Sequence, residues 1–118
     1  MTRDHVLDVC SKLPNAVEDY PFGDDVAVFK VGGKMFALVM LTDEPGSVNL
    51  KCAPDWALEL RAMHAGVRPG YHQNKRHWNT VDLDGTIDDT DLQEMIDHSY
   101  ELVISGLPRS ERDCLLGR

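Results

Sequence analysis

Positive charge, aromatic residues, cysteine and long apolar stretches are all scarce in this chain of 118 residues. Lys and Arg number 12 against 20 Asp and Glu, leaving a formal charge of −8 with His neutral. Taken whole, that balance argues against a protein coated in cations for nucleic acid. The three cysteines, Cys10, Cys52 and Cys114, are odd in number and far apart. They suggest neither a disulfide framework nor a CxxC metal site, and fit reduced thiols in a cytosolic protein. Cys10 and Cys52 fall in apolar phase and read as core, whereas Cys114 lies in a polar stretch. The longest apolar run, Met35–Leu41, is far short of the ~20 residues of a membrane-spanning helix. Met1-Thr2-Arg3-Asp4-His5 leads into an amphipathic pattern, not the apolar core of a signal peptide. Nucleophile-elbow, Walker, GxGxxG and HExxH patterns are missing too, so no catalytic role, cofactor or metal is expected.

What is present describes one domain over residues 1–118, since domains cluster around roughly 100–150 residues. Thr2 can cap a helix over 2–13, with Val6, Leu7, Cys10 and Leu13 on one face and Pro14 as its stop. Residues 15–25 read as a connection. Val26–Val31 and Lys34–Leu41 are apolar and β-branched around Gly32-Gly33, which predicts a hairpin because both turn positions tolerate φ > 0. Ser47–Cys52 alternates: Val48, Leu50 and Cys52 face one way, Asn49 and Lys51 the other. The second face is therefore expected to be at least partly wet. Pro54 opens a second helix with Trp56, Leu60 and Met63 as its apolar stripe. Val67–Gln73 and His77–Leu83 suggest a second hairpin. Thr90-Asp91-Leu92-Gln93 resembles a capping box before a helix whose seam is Leu92, Met95, Ile96, Ser99, Tyr100, Val103 and Ile104. Residues 108–118 read as a polar tail with a loose Leu115-Leu116 anchor. The expected order is α-βββ-α-ββ-α. This is an α+β, two-layer domain with a single antiparallel sheet covered by helices.

Charge is unevenly distributed along the chain. Asp82, Asp84, Asp88, Asp89, Asp91, Glu94, Asp97 and Glu101 fall in residues 82–101, which contain no Lys or Arg. That stretch accounts for the whole acidic excess and reads chiefly as the solvated face of the last helix. Residues 51–81 instead carry Lys51, Arg61, Arg68, Lys75 and Arg76 against Asp55 and Glu59.

The densest chemistry is Arg68-Pro69-Gly70-Tyr71-His72-Gln73-Asn74-Lys75-Arg76-His77-Trp78-Asn79-Thr80. Lys and Arg neutralise phosphate, amides and hydroxyls position it or reach base edges, and Tyr and Trp offer stacking faces. The same residues also fit a plain hairpin with Trp78 in the core and ordinary surface cations. The run from Pro69 to Val81 resembles the signature of the MmcQ/YjbR family of small bacterial proteins. Asp19-Tyr20-Pro21-Phe22-Gly23, Phe29–Ala37, Asn49-Leu50-Lys51-Cys52 and Ile96-Asp97-His98-Ser99-Tyr100 are similar to its other marks. Gln73 departs from it, standing where the family often carries Met.

The resemblance implies a cytoplasmic α+β domain of CyaY-like or secretion-chaperone-like type. It also implies DNA binding through a double wing built on the hairpins. Carried onto this chain, the contacts are Lys51, Arg68, His72, Asn74, Lys75, Arg76, His77 and Asn79, with Lys30 and Lys34 as a second wing. Binding would be weak, local and salt-sensitive, and protonated imidazoles would add to it in mild acid. Two other classes stay open. One is a protein-interaction module, as a monomer or weak dimer. The other is a binder of a small anionic ligand at Tyr71, His72, His77, Asn79 and Lys51. No membrane partner is expected.

Overall fold

The computed structural model describes residues 1–115. Helix α1 (Arg3–Lys12) starts at Thr2, whose hydroxyl accepts the His5 N–H at 3.2 Å, and buries Val6 and Cys10. Strands β1 (Val17–Asp19), β2 (Val26–Val31), β3 (Lys34–Met40) and β4 (Ser47–Lys51) follow. Helix α2 (Pro54–Met63), β5 (Val67–Pro69), β6 (Trp78–Asp82), α3 (Asp89–Ser105) and α4 (Arg109–Leu115) complete the order. The six strands form one antiparallel sheet in the order β1-β2-β3-β4-β6-β5. This is the expected α+β architecture with one strand and one helix more than the periodicity indicates.

The added strand, β1, is exposed along its length and carries two acids, so neither composition nor alternation marks it. Pairing creates it: Val17 lies opposite Lys30 and Asp19 opposite Val28. The Lys30 ammonium donates to Asp19 at 3.0 Å and holds that carboxyl below its usual range. Residues 109–115 are helical, not an unstructured tail, and Leu115 packs on the core. Leu116, the other half of the expected anchor, lies outside the described residues. The Gly32-Gly33 turn has φ of 58° and 78°, the left-handed pair that a two-residue hairpin demands.

All three longer helices cover the same face of the sheet. Their shared core joins Val6 and Cys10 to Phe29, Phe36, Val39, Val48, Leu50 and Val81, and to Leu60, Leu92, Ile96 and Val103. Burial pushes the Cys10 thiol up to about 12 and the Cys52 thiol up to about 11, so neither ionises at neutral pH. The stripe of α2 runs through Ala57 and Leu60; Met63, in its last turn, is 69 % exposed instead of buried. At α3 the expected capping box does not form. The helix begins earlier, with Asp88 at the N-cap and no side-chain cap bond. Its seam is buried as predicted except for Tyr100, which is half-buried, and Ser99 locks it to the sheet by accepting the Lys51 N–H at 2.9 Å and donating to the Phe36 carbonyl at 2.5 Å.

The second face is drier than alternation suggests. Val28, Leu38 and Trp78 form a small cluster there, and Ser47, Asn49 and Thr80 are buried among them. The chain between β5 and β6 folds over this face. Among the described residues, no helix is long and apolar enough to cross a membrane.

One helix-face contact is sensitive to acid. His98 Nε2 accepts the Ala53 N–H at 3.1 Å, at the start of α2, and its ring meets Trp56 edge-on. Burial lowers its pKa from 6.5 against the opposing pull of Glu101 and Glu94. A folded pKa below the unfolded one means stability that is complete above about pH 6.5 and lost as pH falls. The denaturation midpoint should therefore drop between about pH 7.5 and 5.5. His98→Gln, whose amide oxygen can still accept the Ala53 N–H, should flatten that drop; an equal slope in the variant would refute the assignment.

Candidate nucleic-acid interface

The register places several loops at one end of the sheet. Val31 pairs with Lys34 across the Gly32-Gly33 turn, and Lys51, the last residue of β4, lies opposite Trp78, the first of β6. The β2–β3 turn, the β4–α2 junction and loop 70–77 therefore emerge together. Asp24, Asp25, Asp43, Glu44 and Asp84 occupy turns at the other end, where Val26 meets Met40 and Ser47 meets Asp82.

Loop 70–77 is held from three sides. Gly70 donates its N–H to the Trp78 carbonyl at 2.8 Å. A Cβ there would stand 2.6 Å from Trp78 Cβ, so the close approach of the two arms requires glycine. On the open face, Tyr71 donates its N–H to Thr80 Oγ1 at 2.9 Å, and that hydroxyl donates to Asn49 Oδ1 at 2.6 Å. Asn49 Nδ2 closes the circuit on the Tyr71 carbonyl at 3.0 Å. On the helix face, Arg61 Nε donates to Asn79 Oδ1 at 2.7 Å, and Nη2 donates to the Trp78 carbonyl at 3.2 Å and to the Lys75 carbonyl. Cys52 adds an N–H bond to the His77 carbonyl at 2.8 Å.

This bracing decides which predicted contacts reach solvent. His72, Lys75, Arg76 and His77 are exposed, with His72 at a φ of 58° and its ring 4.0 Å from that of Tyr71. Asn79 is only 2 % exposed and is spent on Arg61 and the Ala57 carbonyl, so it does not face a partner. Asn74 accepts the Arg76 N–H at 2.9 Å and shapes the loop tip. Arg68 is held by both Asp82 oxygens, at 2.8 and 3.2 Å, which raises its pKa and neutralises it as a docking group. Lys30 is likewise paired with Asp19, leaving Lys34 as the free cation of the first hairpin. Lys51 is half-buried. Among the described residues, Lys34, Lys51, Lys75 and Arg76 enter no ion pair, and all four belong to the same end of the sheet.

Sequence reasoning missed Arg61 and Asn49 as supports. Arg61 reads as an ordinary helix cation, and the only trace of Asn49's role is a polar residue in a strand flanked by apolar ones. Their partners lie 18 and 31 residues away in the chain.

Comparison with known proteins matches the YjbR family model over residues 11–102. The uncharacterized protein YjbR of Escherichia coli K12 is 34% identical over 116 residues, covering 98% of both chains. The uncharacterized protein YbdF of Escherichia coli O157:H7 is 35% identical over 101 residues, covering 86% of this chain and 83% of that one. The crystal structure of the Deinococcus radiodurans protein DR2400, a DUF419 domain, superposes with a TM-score of 0.91 at 42% identity, covering 97% of this chain and 87% of that one. A Pseudomonas syringae crystal structure superposes with a TM-score of 0.76 at 29% identity, covering 87% and 99%.

The Asn49–Thr80–Tyr71 circuit is testable by deletion of one oxygen. Thr80→Val keeps the shape but strands the Tyr71 N–H and Asn49 Oδ1, which should cost about 2 kcal/mol in urea unfolding. The Tyr71 amide should also exchange faster with solvent. Unchanged stability and exchange would show that the circuit does not hold the loop.

Proposed function

The chain belongs to the YjbR family, and from that premise we propose that it binds nucleic acid by docking the basic end of its sheet on phosphates. The observation that carries this reading is the convergence of unpaired cations. Among the described residues, Arg3, Lys12, Lys30, Arg68 and Arg109 each have a carboxylate partner, Arg61 and Arg112 bond backbone carbonyls, and Lys34, Lys51, Lys75 and Arg76 have no carboxylate partner and share one end. Cations left free on a braced loop dock at little ordering cost, because the backbone beneath them is already fixed.

Spacing supports the reading. The β2–β3 and β5–β6 hairpins stand three strand spacings apart, about 14 Å at ~4.8 Å each. The major groove of duplex DNA is ~12 Å wide. The net charge of −8 opposes long-range attraction, and α3 brings Glu94, Asp97 and Glu101 alongside Trp56 near the β4–α2 junction, so the contact is a local one. The acidic turns lie a strand length away, roughly 20 Å, or about two Debye lengths at physiological salt. Lys75 and Arg76 make the principal phosphate contacts, Lys34 and Lys51 extend them, and His72 and His77 add polar contacts.

Four phosphate contacts predict that affinity falls roughly a hundredfold between about 50 and 200 mM salt. Lys75→Ala/Arg76→Ala should lower the slope of log affinity against log salt by about two. Fluorescence anisotropy with a labelled oligonucleotide measures both. Absence of binding at low salt, or an unchanged slope in the double variant, would refute the reading.

A further inference from the structure

The open face carries a groove of about 380 Å³ next to the basic loop. Its floor is Val26, Leu38 and Met40; its walls are Phe22 on one side and Tyr71 and His72 on the other. Phe22 is 61 % exposed and Tyr71 58 % exposed, in a chain with few aromatic residues. The volume lies in the ~300–1,000 Å³ range of small-molecule sites. Its lining is almost wholly apolar: Asn49 is 1 % exposed and spent on the circuit described above, and Gln73 lies half-buried at the edge.

An apolar floor between aromatic walls suits the flat face of a nucleobase, which stacks on rings whatever its identity. His72 belongs both to the groove wall and to the loop that carries Lys75 and Arg76, and so joins the two. We infer that the groove bounded by Phe22, Tyr71 and His72 receives an unstacked base of single-stranded nucleic acid, whose phosphates run along Lys75 and Arg76. The inference rests on the phosphate-docking reading and adds the class of strand. A duplex keeps its bases stacked and paired, and can use only the cations.

The full chain should be titrated with a single strand of about twelve nucleotides, with its duplex, and with an abasic strand of the same length. The single strand should bind about tenfold more tightly than the other two. Tyr71→Ala and Phe22→Ala, both at exposed positions, should remove that advantage and leave duplex binding unchanged. Lys75→Ala/Arg76→Ala should weaken all three. Equal affinity for the three, or insensitivity to Tyr71→Ala and Phe22→Ala, would overturn the base-binding groove while leaving phosphate docking in place. Absence of binding to any of them would overturn both. A dimer that Phe22→Ala dissociates, with no discrimination among the strands, would instead assign the groove to contact between two copies of this chain.

Discussion

The arrangement of loop 70–77 depends on hydrogen bonds made on both faces of β6. Alternate residues of that strand point to opposite sides, so Thr80 ties the loop to Asn49 on the open face while Asn79 ties it to Arg61 on the helix face. Each support is a buried or half-buried polar group with a partner, and no buried side-chain nitrogen or oxygen among the described residues lacks one. Removing a single member strands the others at a cost larger than the bond itself contributes. The core fixes the sheet; this polar circuit fixes what the sheet presents at its end.

Charge follows from the same geometry. In sequence, acids and bases merely alternate in blocks. Antiparallel pairing folds those blocks so that Lys34, Lys51, Lys75 and Arg76 come together, while the acidic turns are placed a strand length away. Screening makes that distance count, because a partner at one end senses chiefly the charges within about a Debye length. Net charge alone is therefore a poor guide to what this surface can bind. The cations that are neutralised, Lys30 by Asp19 and Arg68 by Asp82, narrow the contact surface to the loop tip, Lys51 and the first turn.

Much of the fold was legible because it rests on short-range pattern. Gly32-Gly33 is set by backbone conformation alone, and the α3 seam by helical period, so both were readable. Strand β1 was not, since three largely polar residues become a strand only through their partner β2. Helix α4 was hidden by polar composition, and the α3 cap by the competition among several consecutive acids at its start. The candidate contacts divide in the same way. Residue type identified Lys75 and Arg76, but whether a side chain is free or spent is decided by neighbours distant in sequence, as Asn79 and Arg68 show.

The most direct test of the central claim is amide chemical-shift mapping of the intact chain during titration with a duplex oligonucleotide at low salt. Perturbations are predicted to cluster at residues 32–34, 51–53 and 70–77, with the acidic turns at 24–25, 43–44 and 84 unaffected. Perturbations confined to the helix face, or none at saturating oligonucleotide, would contradict the account.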